Sequence, residues 1–277
     1  MVSAKRFLQD EPVLGRALRL FVERFANLDD PVLQVSAHAK TDDEKIAWTL
    51  LGTALYQDLR MDEIAALLVA LCRKFPGDKL WTLPVPKGGD IEAVVESALG
   101  NRDWSLFKNV AGIFWSVGFF VRRHGDLKNW IASSTPEEMW RDMGEIYFMG
   151  KRGARPKACA AIYRLCGKTP AGLGYGVGRG LKRFRWPDLP LTMGARRFLS
   201  IMGPAREGGF ADLSPEQKQK MMNDFCVALY PENPYAVAHS LQFYLEEGEE
   251  SFMCRECQAG CANCPIYEFC DYGVKES

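Results

Sequence analysis

The chain has 277 residues, of which 47% are hydrophobic, 25% charged and 12% aromatic. That supplies one or two buried cores and excludes disordered, collagenous and coiled-coil classes. The formal net charge is zero, but the sum hides a strong internal asymmetry.

From the amino terminus, MVSAKRFLQDEP holds no apolar core of signal-peptide length. The longest apolar run, Val110 to Val121, is too short to span a bilayer. The expectation is a cytoplasmic protein with no membrane partner. Helix start signals then recur in one form. Thr41-Asp-Asp-Glu44, Thr135-Pro-Glu-Glu138 and Ser214-Pro-Glu-Gln217 each put a hydroxyl three residues before Glu or Gln, the reciprocal capping box. After Thr41, the residues Ile46, Leu50, Leu51, Ala54 and Leu55 keep helical spacing. Leu106, Val110, Ile113, Phe114, Val117, Phe120 and Val121 keep it further along, as do Met221, Met222, Phe225, Cys226 and Leu229. Asn233-Pro234 opens another helix, with proline at its tolerated first position. Strand-like alternation is nearly absent, so the fold class expected is all-α, with about ten or more helices and no repeat of solenoid period.

Charge is concentrated in the middle. Ile146 to Pro187 contains no acid, while Lys151, Arg152, Arg155, Lys157, Arg164, Lys168, Arg179, Lys182, Arg183 and Arg185 supply ten bases. With Arg196, Arg197 and Arg206 against Asp188, residues 146–206 hold thirteen bases and one acid, a net +12, and the rest of the chain a net −12. A basic segment between acidic ones suits a phosphate-binding face; the alternative is a merely solvated basic face. Within it Gly172, Gly174, Gly176, Gly178 and Gly180 alternate with other residues. Gly174 to Gly180 has dinucleotide-loop spacing, but no strand precedes it and no acid follows at the needed distance, so no nucleotide cofactor is expected. The stretch reads as a mobile basic loop over a phosphate backbone, or as an inert linker.

A chain of this size hides roughly 75% of its unfolded surface and needs no disulfide staples, so its nine cysteines call for another explanation. Cys72, Cys159, Cys166 and Cys226 lie on apolar helical faces and read as core residues. The other five, Cys254, Cys257, Cys261, Cys264 and Cys270, crowd into one short stretch with no histidine among them. In a reducing compartment this points to a metal or redox cofactor. Zinc could use Cys254-x2-Cys257 and Cys261-x2-Cys264, but only three residues separate the two pairs, less than a zinc ribbon usually has. Such crowding suits an iron-sulfur cube.

The subset Cys254-x6-Cys261-x2-Cys264-x5-Cys270 resembles the arrangement of endonuclease III and the adenine-mismatch glycosylases, members of the helix-hairpin-helix DNA glycosylase superfamily. There it holds a four-iron, four-sulfur (4Fe-4S) cluster, which the resemblance places on these four residues, with Cys257 as an extra thiol. Upstream, Gly153-Ala-Arg-Pro-Lys157-Ala-Cys-Ala-Ala-Ile162 looks like the second half of the helix-hairpin-helix, with Met149 and Gly150 at the turn. Arg155 stands where the second hairpin glycine belongs, and Lys151 and Arg152 lengthen the hairpin. Such a hairpin aims backbone N–H groups at a phosphate.

The resemblance covers roughly residues 40 to 274. It implies a two-lobed fold: a six-helix barrel over 30–190 carrying the hairpin and the basic glycine-rich insertion, and a cluster domain formed by 1–29 with 191–277. It implies a monomer that binds duplex DNA and recognises damaged or modified bases, associated with the nucleoid when bound. The implied DNA contacts are Lys151, Arg152, Gly153, Arg155, Arg183, Arg197 and Gln57, with Tyr56 or Gln57 near the family's wedge position.

For chemistry, Lys157 falls where the family's nucleophilic lysine stands, and Arg152 and Arg155 nearby would lower its amine's pKa. The alternative is a lysine that contacts phosphate. The family's aspartate, four residues beyond Trp-Pro at a helix start, is replaced by Thr192. Threonine caps a helix but offers no charge to a developing oxocarbenium ion. Asp188, beyond an intervening Pro190, is a candidate substitute or a turn residue. The expected function therefore divides between a divergent DNA glycosylase/AP lyase and a catalytically impaired binder. The alternative class is an iron-sulfur redox or sensing protein for another polyanion such as RNA.

Overall fold

The computed structural model describes residues 4–26, 30–56, 59, 61–76, 86–101, 104–150, 156–167, 172–175, 188–205, 209–231, 233–241 and 264–270, with backbone only at 24–26, 61, 104 and 156. Among the described residues there is no strand. The chain folds as two compact units, Asp29–Pro187 and a second made of Met1–Leu28 with Asp188–Ser277.

The Asp29–Pro187 unit contains α3 (Pro31–Ala37), α4 (Asp42–Leu55), α5 (Met61–Lys74), α6 (Gly88–Leu99), α7 (Trp104–His124), α8 (Leu127–Ser133), α9 (Pro136–Asp142) and α10 (Pro156–Cys166). Helix α4 is its axis, packed against α3, α5, α7, α8 and α10. Its apolar stripe Ile46, Leu50, Leu51, Ala54 and Leu55 is buried, and so are Ala47, Trp48, Thr49 and Thr53 on the other faces. A helix enclosed all round must satisfy its hydroxyls internally. Thr49 donates to the Lys45 carbonyl (2.8 Å) and shares a hydrogen bond with Ser36 (2.9 Å), and Thr53 donates to the Thr49 carbonyl (2.7 Å). On α7, Val110, Ile113, Phe114, Val117 and Phe120 of the expected stripe are buried.

The second unit contains α1 (Ala4–Asp10), α2 (Pro12–Ala26), α11 (Met193–Ile201), α12 (Pro215–Leu229) and α13 (Pro234–Leu241). Here α13 is the enclosed helix, buried from Tyr235 to Leu241 and packed on α2, α11 and α12. The α12 stripe Met221, Met222, Phe225, Cys226 and Leu229 is buried as its spacing predicts. Phe225 stacks obliquely on Phe7 (6.4 Å between centroids) and Phe198 (5.5 Å). Full burial of a phenylalanine contributes about 1.5–3 kcal/mol, so this trio is a principal stabiliser of the unit.

The capping boxes at Thr135 and Ser214 are complete. At Thr41 the box is displaced: its hydroxyl accepts from Glu44 N (3.1 Å), but the Glu44 carboxylate accepts from Lys40 N (2.8 Å), one residue earlier than the motif predicts. Glu44 is drawn into the buried surround of α4, and the Lys40 amide is the donor that its carboxylate meets. Asn233 accepts from Ala236 N (3.3 Å) ahead of Pro234, as its sequence predicts. Cys159, Cys166 and Cys226 are buried and Cys72 is half-buried. Burial pushes the Cys72 thiol up to about 11, with a smaller contribution from the Glu44 charge, so it stays protonated at neutral pH.

Candidate functional site

After α9 a short 3-10 turn, Met143–Glu145, leads into the segment Ile146–Gly150. Ile146 N donates to Met143 O (3.0 Å) and Met149 N to Ile146 O (3.1 Å). Ile146 and Met149 are buried and act as anchors. Between them and beyond, the chain turns left-handed twice, at Phe148 (φ 66°) and Gly150 (φ 88°). Glycine adopts such a conformation readily. A phenylalanine there stores about 1–3 kcal/mol of strain, which its surroundings must hold. The Phe148 ring meets Tyr147 edge-on at 4.4 Å between centroids.

Six residues beyond Gly150 the chain enters α10 at Pro156, a residue pre-set for the first helical position. Lys157 follows. Its Nζ donates to Ala54 O (3.0 Å) and stands 5.4 Å above the centre of the Phe148 ring. Ala54 lies in the last turn of α4, where carbonyls lack intrahelical partners and the helix dipole is negative. Both contacts suit a charged amine. A nucleophilic role requires the amine to leave Ala54 and release a proton; a role in phosphate contact requires neither.

Behind the lysine lies a buried ion pair. Arg164 Nε donates to Asp30 Oδ2 at 2.8 Å, with only 3% and 6% of the two side chains exposed. The other Asp30 oxygen accepts from Val32 N (3.0 Å) and caps α3. Arg164 Nη1 approaches Thr53 Oγ1 at 3.4 Å, and the guanidinium lies 4.9 Å from the centre of the Tyr56 ring. Counting Arg164 among the bases that face phosphate is therefore corrected: its charge is consumed inside the unit. Tyr56, half-buried at the end of α4, rests on that guanidinium.

The glycine-rich stretch begins as an ordered return onto α10. Leu173 N, Gly174 N and Tyr175 N donate to the carbonyls of Arg164 (2.7 Å), Gly167 (2.9 Å) and Leu165 (3.0 Å). A Cβ on Gly172 would lie 2.4 Å from the Gly167 oxygen, so the return needs glycine. Tyr175 Oη donates to Asp42 (2.9 Å), which also pairs with Lys128 (2.6 Å). The Lys128 and Tyr175 bonds hold the Asp42 carboxyl below its usual range.

In the other unit, Asp188 and Thr192 share the strip ahead of α11. Asp188 accepts from Asn223 Nδ2 (2.7 Å), and Asn223 Oδ1 accepts from Leu189 N (3.0 Å), so α12 clamps the strip. Thr192 accepts from Ala195 N (3.2 Å) and caps α11. Arg197 is half-buried on the same helix. Thr192→Ala is expected to cost this unit about 1 kcal/mol, read as a lower denaturant midpoint, while Thr192→Asp keeps the cap. An unchanged midpoint in Thr192→Ala would remove the cap from the account.

Cys264 and Cys270 lie at the two ends of one turn. Tyr267 N donates to Cys264 O and Cys270 N to Tyr267 O, both at 3.1 Å, over the buried Ile266. Among the described residues no group of three metal-ligating side chains occurs. Cys254, Cys257 and Cys261 lie outside the described residues, as do Gln57, Lys151, Arg152, Gly153, Arg155, Arg183 and the glycines from 176 to 180. Among the described residues no helix is long and apolar enough to cross a membrane.

No known protein family, curated protein or solved structure gives a significant match to the chain. Sequence reasoning missed two features of the site. Asp30-Pro31 is legible as a helix start, but not as the partner of Arg164; the signal was an arginine surrounded by the apolar residues of α10. Phe148 carried no sequence signal beyond its place beside the expected turn.

Proposed function

We propose that the protein binds duplex DNA and recognises damaged or modified bases, as a helix-hairpin-helix protein of the endonuclease III-like kind. The observation that carries this reading is Lys157 on the first turn of α10, bonded to Ala54 O and set over the ring of Phe148, itself in a left-handed turn with Gly150, inside a segment that contains bases and no acid. A helix start offers backbone N–H groups and a positive dipole to a phosphate. Lys157 adds a charge held in place by Ala54 and Phe148. Extruding a base costs a few kcal/mol, least at damaged or mismatched pairs, so recognition can be selective without bond cleavage.

The tethering of Lys157 and the use of Thr192 as a helix cap favour a binder whose glycosylase chemistry is impaired over an efficient glycosylase. Cys254, Cys261, Cys264 and Cys270 are the proposed ligands of a 4Fe-4S cluster, which would brace the carboxy-terminal part of its unit.

The test is titration of a labelled duplex with wild type and with Arg152, Arg155 and Arg183 all changed to Glu. Loss of three phosphate contacts and gain of three repulsions is expected to weaken binding by at least about a hundredfold at low salt. Equal binding by both proteins would refute the reading. Borohydride treatment on an abasic duplex addresses chemistry separately: a covalent adduct that Lys157→Ala abolishes would identify a lyase, and the tethered amine predicts little or none.

A further inference from the structure

Helix α7 buries one face and leaves the other aromatic. Trp115, Phe119 and the adjoining Tyr147 are 43%, 57% and 49% exposed. Each of two rings is fixed. Trp115 Nε1 donates to Pro86 O (3.3 Å) and its ring edge lies over Gly88, where a Cβ would be 3.8 Å away. The Tyr147 ring lies on Gly112, where a Cβ would be 2.9 Å from Cδ1, and Tyr147 N donates to Ser116 Oγ (2.9 Å). Positions 112, 115 and 119 share one helical face with Lys108 and Arg122, both exposed. Helix α7 contains no acid, and its third base, Arg123, pairs with Glu145.

The ridge continues into the candidate site, since Tyr147 meets Phe148 edge-on and Phe148 lies beneath Lys157. Flat, pre-positioned rings flanked by bases fit a ligand that alternates flat π-faces with negative charges. We propose that this ridge binds single-stranded DNA, its unpaired bases stacking on Trp115, Phe119 and Tyr147 and its phosphates meeting Lys108 and Arg122. The proposal rests on the DNA-binding reading and extends the nucleic-acid surface from Lys157 along the exposed face of α7.

The experiment is anisotropy of a labelled oligo(dT), with a labelled duplex in parallel, against wild type, Trp115→Ala/Phe119→Ala and Gly112→Val. The double variant removes exposed rings only, and circular dichroism checks that the helices persist. It is expected to weaken oligo(dT) binding about tenfold or more while duplex affinity changes little. Gly112→Val keeps every ring but displaces Tyr147, and is expected to give a smaller loss. Undiminished oligo(dT) binding by the double variant overturns the proposal. So does self-association of wild type that the double variant abolishes, with no oligo(dT) binding by either. Oligo(dT) binding that depends on the ridge, with no duplex binding at all, would refute the duplex reading and leave this one standing.

Discussion

Replacing Asp30 with alanine is expected to destabilise the Asp29–Pro187 unit by about 3–5 kcal/mol, the cost of leaving a buried charge without its partner. The guanidinium of Arg164 would remain enclosed, with the Thr53 hydroxyl at 3.4 Å and the Tyr56 ring beside it. The same change removes the cap of α3, whose Val32 amide now donates to Asp30. Asp30→Asn keeps a capping oxygen and should lose less. Changing Asp30 to Leu together with Arg164 to Met removes both charges and should recover much of the loss, because a well-packed apolar pair often replaces a buried ion pair at little cost. Urea unfolding of the three variants measures this. An unchanged midpoint in Asp30→Ala would mean that the pair does not hold the start of α3 against α10.

The second large effect is expected at the cysteines. The purified protein should be brown and contain iron and acid-labile sulfide in equal amounts, as a cubane cluster requires. Cys264 and Cys270 are held on one compact turn over Ile266, so two of the four proposed ligands already belong to a single local structure. Cys261→Ser and Cys264→Ser should each lose the cluster and destabilise their unit, whereas Cys257→Ser should keep both. Zinc without sulfide would contradict the assignment, and cluster loss in Cys257→Ser alone would show that the four ligands are wrongly chosen.

The helices were legible because their signals are local. A hydroxyl three residues before Glu or Gln, and apolar residues at helical spacing, are properties of one short stretch, and Thr135, Ser214 and the α12 stripe behave as that arithmetic predicts. The failures are tertiary. The displaced box at Thr41 depends on how deeply Glu44 is enclosed, which no window of sequence contains. Arg164 stands 134 residues from Asp30, and a count of charges along the chain cannot distinguish a base aimed at solvent from one consumed in the core. Lys157 was legible as a residue of interest from the hairpin pattern, while its tether to Ala54 needed the meeting of α10 with the end of α4. The aromatic ridge on α7 was hidden for the opposite reason: its buried stripe alone satisfies the helical period, and Trp115 and Phe119 on the other face add no pattern of their own.

Duplex affinity measured across a series of salt concentrations tests the central claim most directly. Each phosphate neutralised contributes about −0.9 to the slope of log affinity against log salt. A hairpin with its surrounding bases should therefore give a slope of about −3 or steeper, reduced by about one for each contacting base removed, with Lys157→Ala among them. A slope near zero, or one unchanged when Lys157, Arg152 and Arg155 are replaced, would contradict a phosphate-binding hairpin at the start of α10.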